Sequence, residues 1–371
     1  MSEYQCYEFV ALDRRLTSKE MAELRAISTR AEISPTRFWN EYHFGDLKAD
    51  PATLLARYFD AHLYFANWGT RRFMLRLPAR SVDTAALKPY FTTPRAKLSK
   101  TGAFVVLDFW SDDEERGDDE EWFEGGRLAA LTPLRSQILQ GDLSAAYVAW
   151  LGSVQSGEVD ERRKEPPVPP GLGDLAAPVA SLAELLRVDP DLIAAASEAS
   201  AARSNDTRAL RAWVKALGAA EKERWLLRAI ESPDLALGLE LRAAFRKGRR
   251  NGASIARRTA GDLLARAEVL REARLKREAA AKERARASAA RARAKALDRL
   301  AKREQAAWSD LEKLIDARSY DKAVALAVDL RDLARRDGSL PRFDERLAAL
   351  RKAHARRRGF FDAYKRRVSS P

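Results

Sequence analysis

Few side chains in this sequence have the type and spacing that catalysis or metal binding requires. The histidines are His43, His62 and His354, no two of them close in sequence, and the one cysteine is Cys6. No HxH, HExxH or CxxC spacing is present, so no zinc or thiolate site is predicted. GxSxG, GxxxxGK[ST] and GxGxxG are also missing. The sequence therefore predicts no catalytic, cofactor-binding or metal-binding residue, and it favours a protein that is not an enzyme.

Two histidines stand near carboxylates in the N-terminal part of the chain. His43 and His62 are close in sequence to Glu41, Asp46 and Asp60. A histidine beside a carboxylate can act as an acid–base pair. A histidine at a strand end is more often satisfied by a neighbouring group inside the fold. This second interpretation is favoured, and catalysis stays a minority hypothesis.

Residues 112–124 form an acidic segment with nine carboxylates and one arginine. It could hold a divalent cation, clamp a basic helix, or be a solvated loop. Calcium loops of the EF-hand type need alternating oxygen ligands, a glycine at a fixed place and a closing glutamate. Gly117 is present but the spacing fails, so a solvated loop is favoured.

The stretch from Arg271 to Arg303 contains no glycine or proline, and thirteen cations stand there against four anions. It consists almost wholly of strong helix formers. An apolar seam flanks its centre, at Leu263, Leu264, Ala267, Leu270 and Leu275 on one side and at Leu297, Leu300, Trp308, Leu311, Leu314 and Ile315 on the other. We predict one long helix, Asp262 to Lys313, whose ends pack and whose centre, 276–296, faces water. That centre lacks the seam of a two-stranded coiled coil, so a monomer is expected.

The net charge of +13 is unevenly distributed along the chain. Residues 1–165 carry four more anions than cations, whereas the rest carries seventeen more cations than anions. An acidic head on a basic tail fits binding of a polyanion through the tail. Heavy use of alanine and arginine along the whole chain fits a compositional bias of the coding sequence equally well.

The candidate polyanion-binding residues are Arg249, Arg250, Arg277, Arg284, Arg291, Lys295, Lys302, Arg356, Arg357 and Arg358. At about 100° per residue, those from Arg277 to Lys302 share one side of the predicted helix. Lys282, Arg286 and Arg293 point nearly opposite. Charge all round suits a solvated helix that contacts an acidic protein partner. The favoured hypothesis is a non-enzymatic interaction or scaffold protein, and the alternative is sequence-nonspecific nucleic-acid binding through the helix and tail.

Residues 1–165 are predicted to form an α+β domain that includes the acidic loop. The predicted strands lie at Tyr4–Leu12, Arg37–Phe44, His62–Phe65, Arg72–Leu77 and within the hairpin Leu98–Leu107. A capping box, Thr17 to Glu20, and the pair Asp50-Pro51 predict two helix starts. Strands and helices mix without a regular βαβ rhythm, which indicates α+β rather than a doubly wound sheet.

Residues 162–173, RRKEPPVPPGLG, contain four prolines and two glycines and are predicted to be an exposed linker. The domains that follow are a small helical domain, 166–250, and then the long basic helix with a C-terminal helical hairpin, 251–371. The hairpin at 308–330 superficially resembles one tetratricopeptide unit, but no second copy is present. In the basic tail, Phe360, Phe361 and Tyr364 are expected to pack rather than to bind a membrane or nucleic acid.

A resemblance covers most of the chain. The order YEFVALDR, then ANWGT, then RLP is similar to the opening of a family of uncharacterised bacterial proteins. The segments EPPVPPGLG and Tyr320–Ala334, YDKAVALAVDLRDLA, resemble the same family. The resemblance implies a bacterial origin and a shared fold, and it transfers no activity and no site residues.

Compartment follows from composition. One cysteine excludes an intramolecular disulfide, which fits a reducing compartment. No signal-peptide pattern is visible, and the apolar runs are far shorter than the ~20 residues of a membrane span. We expect a cytoplasmic protein with no membrane span and no cofactor.

Overall fold

The computed structural model describes residues 4–113, 126–202, 207–231, 236–247 and 258–369. It divides into two compact units, residues 1–273 and 274–371. An antiparallel sheet and helices form the first unit, and helices form the second. The predicted α+β class, with a long helix and a helical C-terminal part, is confirmed.

The first unit is built on a seven-stranded antiparallel sheet. Its strands are β1 (Gln5–Val10), β2 (Glu32–Ser34), β3 (Arg37–Tyr42), β4 (Ala61–Ala66), β5 (Thr70–Pro78), β6 (Ala96–Thr101) and β7 (Phe104–Asp112). Their order across the sheet is β2-β3-β1-β4-β5-β7-β6. Strand β2 was not predicted, because three residues beside Pro35 give no alternating pattern.

Helices cover both faces of this sheet. The helices of the first unit are α1 (Ser18–Ile27), α2 (Pro51–Tyr58), α3 (Thr84–Leu87), α4 (Arg127–Leu131), α5 (Pro133–Leu139), α6 (Ser144–Gln155), α7 (Ala177–Leu185), α8 (Pro190–Ser197), α9 (Thr207–Ala216), α10 (Ala219–Glu231) and α11 (Ala236–Lys247). The capping box is confirmed: Thr17 N donates to Glu20 Oε2 at 2.8 Å, and Glu20 N donates to Thr17 Oγ1 at 3.3 Å. Asp50 caps α2 by accepting from Thr53 N at 2.8 Å.

The two sheet faces have separate cores because side chains alternate along each strand. On one face Leu63 lies opposite Phe73, and Phe73 lies opposite Phe109. These residues pack in one buried cluster with side chains from α4 to α8. On the other face Phe9 lies opposite Phe38, within the cluster that includes residues of α1 and α2. The two layers of helices therefore hold the sheet from both sides.

The proline-rich segment is not an exposed linker. Glu165 and Leu172 are each only 2% exposed, and Leu172 belongs to the core of the first unit. Tyr147 donates a hydrogen bond to the Glu165 carboxylate, and Arg258 Nη2 pairs with it at 3.1 Å. Tyr90 donates to the carbonyl of Pro167 at 2.5 Å. The predicted exposure is wrong because an extended segment can lie over a core when its polar groups find partners there.

One long helix, α12 (Ala260–Ala301), contains most of the basic stretch. Leu263 and Ala267 near its start are buried with the first unit's core, and Leu297 and Leu300 near its end are buried with the second's. Every residue from 275 to 292 is exposed, so most of the predicted centre, 276–296, faces water. Arg293 and Ala296, near its end, are half-buried. Leu275 was wrongly included in the seam, since it is 51% exposed. The helix also ends twelve residues before the predicted Lys313.

The second unit folds around the end of α12. Its other helices are α13 (Glu304–Asp316), α14 (Tyr320–Arg336), α15 (Leu340–Ala353) and α16 (Arg358–Ser369). Trp308, Leu311 and Ile315 on α13 are buried with Phe343 of α15 and Phe360 of α16. The predicted packing of the end of the long helix is confirmed, and so is the packing of the tail aromatics. No helix in the described ranges is long and apolar enough to cross a membrane.

Candidate polyanion-binding surface

Four of the candidate cations form a line on the exposed part of α12, which we call the basic stripe: Arg277, Arg284, Arg291 and Lys295. The first three stand seven residues apart and the fourth follows four residues later, so they recur on one side of a helix with about 3.6 residues per turn. All four are exposed. They point away from the side on which Leu297 and Leu300 are buried. The stripe is therefore open to a partner.

Three of the four cations of the basic stripe are not neutralised by the part of the chain that the structure describes. Arg284, Arg291 and Lys295 have no carboxylate partner among the residues that the structure describes. Lys282 and Arg286, on the opposite side, are likewise exposed and unpaired within the described ranges. The exposed section 275–292 has six cations against two carboxylates. Charge thus surrounds this section, as predicted, and half of its cations belong to the stripe.

Arg293, on the same helix, has a structural role instead. Its guanidinium donates to Asp332 Oδ2 at 2.6 Å and to Asp329 Oδ1 at 2.5 Å, both on α14. These hydrogen bonds raise the pKa of Arg293 above its ordinary value. A second cross-helix pair joins Arg336 to Asp298 at 2.7 Å. Cations that face the bundle bind its carboxylates, whereas Arg284, Arg291 and Lys295 of the stripe have no such partner in the described part of the chain.

The remaining candidates lie on other segments. Lys302 is exposed in the turn between α12 and α13. Arg356, Arg357 and Arg358 lie where α15 passes into α16, and Arg357 N donates to the His354 carbonyl at 2.8 Å. Arg249 and Arg250 fall outside the described residues. The structure therefore gathers four of the ten predicted candidates into one surface.

Sequence reasoning missed three arginines that line grooves on the second unit: Arg299, Arg366 and Arg367. A signal for two of them was present. Ala363, Arg366 and Arg367 are spaced three and four residues apart, which places them on one face of a helix. The basic tail was considered only as a whole, so this face was not separated from the aromatic one.

His62 is a core histidine, as favoured from the sequence. Its Nδ1 lies 3.0 Å from the Glu8 carbonyl oxygen, and its ring stacks on Phe9 with centroids 4.0 Å apart. Burial lowers the pKa of His62 to about 3. Asp60 pairs with Arg76 at 2.8 Å rather than with the histidine. Burial alone would raise the pKa of Asp60, but hydrogen bonds from Asp13 N, Arg76 and Leu12 N outweigh it and lower that pKa.

The other histidines are nearer the surface. His43 Nε2 is 3.9 Å from a Glu41 carboxylate oxygen, and His354 Nδ1 is 3.2 Å from Asp316. Within the described ranges, no three His, Cys, Asp or Glu side chains gather as a metal ion would require. Residues 114–124 of the acidic segment lie outside those ranges. No acid–base pair is assembled around His62, whose hydrogen bond goes to a backbone carbonyl.

Comparison with known proteins returns no match: no family model, no curated protein and no solved structure is similar to this chain. The resemblance to a family of uncharacterised bacterial proteins stays a prediction. The function proposed for the chain rests on its own geometry.

Proposed function

We propose that this is a non-enzymatic interaction protein whose basic stripe binds an acidic surface of a protein partner. One observation supports the proposal most. A section of eighteen residues in one helix, 275–292, is exposed throughout, and its Lys282, Arg284, Arg286 and Arg291 have no carboxylate partner among the residues that the structure describes. A surface of this kind raises the local concentration of acidic partners and accelerates their association.

The composition of the section is consistent with a binding role. Its alanines, arginines, lysines and glutamates favour helix without any tertiary packing, so the backbone is preorganised before a partner arrives. Exposed ion pairs contribute little to stability, and leaving Lys282, Arg284, Arg286 and Arg291 without a carboxylate partner therefore costs the fold little. The section can present charge without weakening either compact unit.

Nucleic acid is the alternative partner class. The stripe recurs on one side of the helix, and a one-sided row of cations can follow a row of phosphates. Binding of this kind would fall steeply with salt, by roughly a thousandfold or more between about 50 and 200 mM for six to ten phosphate contacts. A protein partner with fewer charges in contact would show a shallower dependence.

The deciding experiment measures the full chain against three labelled probes: poly-L-glutamate, duplex DNA and RNA, each over a range of salt concentrations. The test variant replaces Arg284, Arg291 and Lys295 by glutamine. The control replaces Lys322, Arg342 and Lys352 by glutamine; they are exposed and have no ion pair among the described residues of the second unit, so the net charge changes equally. We expect the test variant, and not the control, to lose poly-glutamate binding by about tenfold.

Two outcomes would contradict the proposal. If both triple variants weaken binding equally, net charge rather than the stripe is responsible. If DNA or RNA binds far more tightly than poly-glutamate, with the steep salt slope, the nucleic-acid alternative replaces the protein partner. Affinity capture with and without nuclease treatment then separates direct protein partners from those tethered by nucleic acid.

A further inference from the structure

The second unit has an open groove between α14, α16 and the end of α12. Its volume is about 780 Å³. The lining residues are Arg293, Asp321, Val324, Ala325, Val328, Asp329, Ala363, Arg366 and Arg367. A smaller groove of about 370 Å³ adjoins it across the Arg293–Asp329 ion pair, since both grooves are lined by these two residues. The two grooves therefore lie side by side and share this ion pair as their common wall.

The floor of the larger groove is apolar. Val324, Ala325 and Val328 recur on one side of α14, and Ala363 faces them from α16. Ala325 is exposed, while Val328 and Ala363 are half-buried. Small side chains at these positions leave room for the side chains of another segment. A floor of this kind gives a partner apolar area to bury, at about 25 cal/mol per Å².

The rim of the two grooves is positive. Five arginines line them, Arg293, Arg299, Arg303, Arg366 and Arg367, against the carboxylates Asp321 and Asp329. Arg293 is already neutralised by α14, and Arg303 pairs with Asp310 at 3.2 Å. Arg367 has no ion-pair partner among the described residues, and Arg299 donates only to the Lys295 carbonyl at 3.4 Å. Arg367 lines the larger groove and Arg299 the smaller one, so each groove has one guanidinium group without an ion-pair partner among the described residues.

We propose that this groove binds an acidic amphipathic helix of a partner protein. The apolar side chains of that helix pack on the α14 floor, and its carboxylates pair with Arg367 and Arg299. An amphipathic helix laid in an apolar groove presents side chains at i, i+3, i+4 and i+7, and arginine forks bind carboxylates in two-pronged fashion. Charge complementarity selects an acidic occupant over a neutral or basic one. The inference names the specific contact of the acidic partner and so rests on the function proposed above.

The probe is a fluorescein-labelled peptide of about 15 residues, with leucine at helical i, i+3, i+4 and i+7 positions and glutamate elsewhere. A scrambled peptide of the same composition lacks the apolar face and keeps the charge. Anisotropy titrations with the full chain should show the amphipathic peptide binding about tenfold more tightly than the scrambled one. Equal affinity for the two peptides overturns the groove proposal.

Two substitutions locate the contact. Ala325→Glu places a carboxylate on an exposed part of the floor, and Ala348→Glu on exposed α15 is the matched control. Arg367→Gln removes a rim cation, and Arg342→Gln is its control. We expect each groove variant to bind the amphipathic peptide about tenfold more weakly than the wild type does, and each control to bind it with unchanged affinity. An Ala325→Glu protein that binds as tightly as the wild type also overturns the proposal.

These results separate the two proposals. Poly-glutamate binding that depends on Arg284, Arg291 and Lys295 supports the basic stripe whatever the peptides do. If that dependence holds while the two peptides bind equally, the proposal for the basic stripe is supported and the proposal for the groove is contradicted. If the amphipathic peptide depends on Ala325 and Arg367 but poly-glutamate ignores the stripe, the groove is the contact and the stripe is not.

Discussion

At the scale of single residues, His62 shows how burial decides what a titratable group does. The ring is fully buried against Phe9, and its Nε2 has no hydrogen-bond partner among the described groups. The pKa of His62 is lowered to about 3 because burial disfavours the charged ring. The side chain is therefore neutral and part of the core across the physiological pH range.

This pKa makes stability depend on pH. An unfolded histidine titrates near pH 6.5, so below that value the unfolded chain binds a proton that the folded chain does not. The free energy of unfolding should then fall as the pH drops from about 6.5 towards 3. Between about pH 7 and pH 4.5, the wild type should lose about 2 kcal/mol more than His62→Gln in urea melts. Carboxylates titrate alike in both proteins, so an equal loss would contradict the prediction.

Glu165 is also buried, but unlike His62 it is paired with an opposite charge. It is 2% exposed yet keeps a counter-charge, Arg258, and a hydroxyl donor, Tyr147. Nothing in the sequence around Glu165 reveals that its partners stand 18 and 93 residues away. The prolines beside it predicted an exposed linker, and the predicted exposure is wrong. Burial of this segment depends on distant partners, which a local pattern does not contain.

At the scale of elements, α12 combines packed ends with a solvated centre. The two kinds of position should respond differently to substitution. Leu311→Ala on α13 removes a fully buried side chain from the core into which α12 ends, and we expect a loss of ~2–5 kcal/mol. Ala285→Leu lies in the exposed section and should be nearly silent.

Thermal melts of the two variants compare these expectations directly, and sedimentation at several concentrations adds a second reading. A leucine at position 285 that lowers stability, or that creates a concentration-dependent dimer, would show that the centre of α12 packs against something. A Leu311→Ala protein as stable as the wild type would show that the second unit's core collapses around the missing side chain.

How well the elements could be predicted depended on the kind of signal. Capping residues at Thr17 and Asp50 are local, and both helices begin where predicted. The end of α12 at Ala301 was not predicted, because the next residues, Lys302 and Arg303, are neither glycine nor proline and do not indicate the end of a helix. The break lets Trp308 reach the second unit's core, and tertiary packing outweighs the helix propensity of the sequence.

The candidate surface was predicted only in part, because sequence patterns show local features and not contacts between helices. Helical periodicity gave the side on which Arg277, Arg284, Arg291 and Lys295 lie, since that depends on one element alone. It did not show that Arg293 would be neutralised by Asp329 and Asp332, which belong to another helix. The groove beside α14 was missed because it exists only when three helices meet.

At the scale of the whole molecule, each compact unit has its own buried core, and the boundary between them falls within α12. Proteolysis should reveal this arrangement. Backbone without tertiary contacts opens locally at low free energy, whereas buried backbone is protected. Subtilisin should therefore cut within 275–292 sooner than within 165–172, since the first segment is exposed and the second is largely buried.

Mass spectrometry of the early fragments, followed by thermal melts of the purified pieces, checks this expectation. The cut should release two fragments that each unfold cooperatively. Early cleavage within 165–172 would instead support the exposed linker that the sequence predicted. Fragments that fail to melt cooperatively would mean that neither core is sufficient alone.

The strand order has a consequence for behaviour in concentrated solution. A sheet whose outermost strands offer long rows of free N–H and C=O groups can recruit strands from other molecules, and this begins many aggregates. At one margin stands β2, only three residues long. At the other stands β6, where Lys97 and Lys100 are exposed. A short strand and a pair of charged side chains both discourage such recruitment, so this sheet is closed to growth at either end without the help of any other chain.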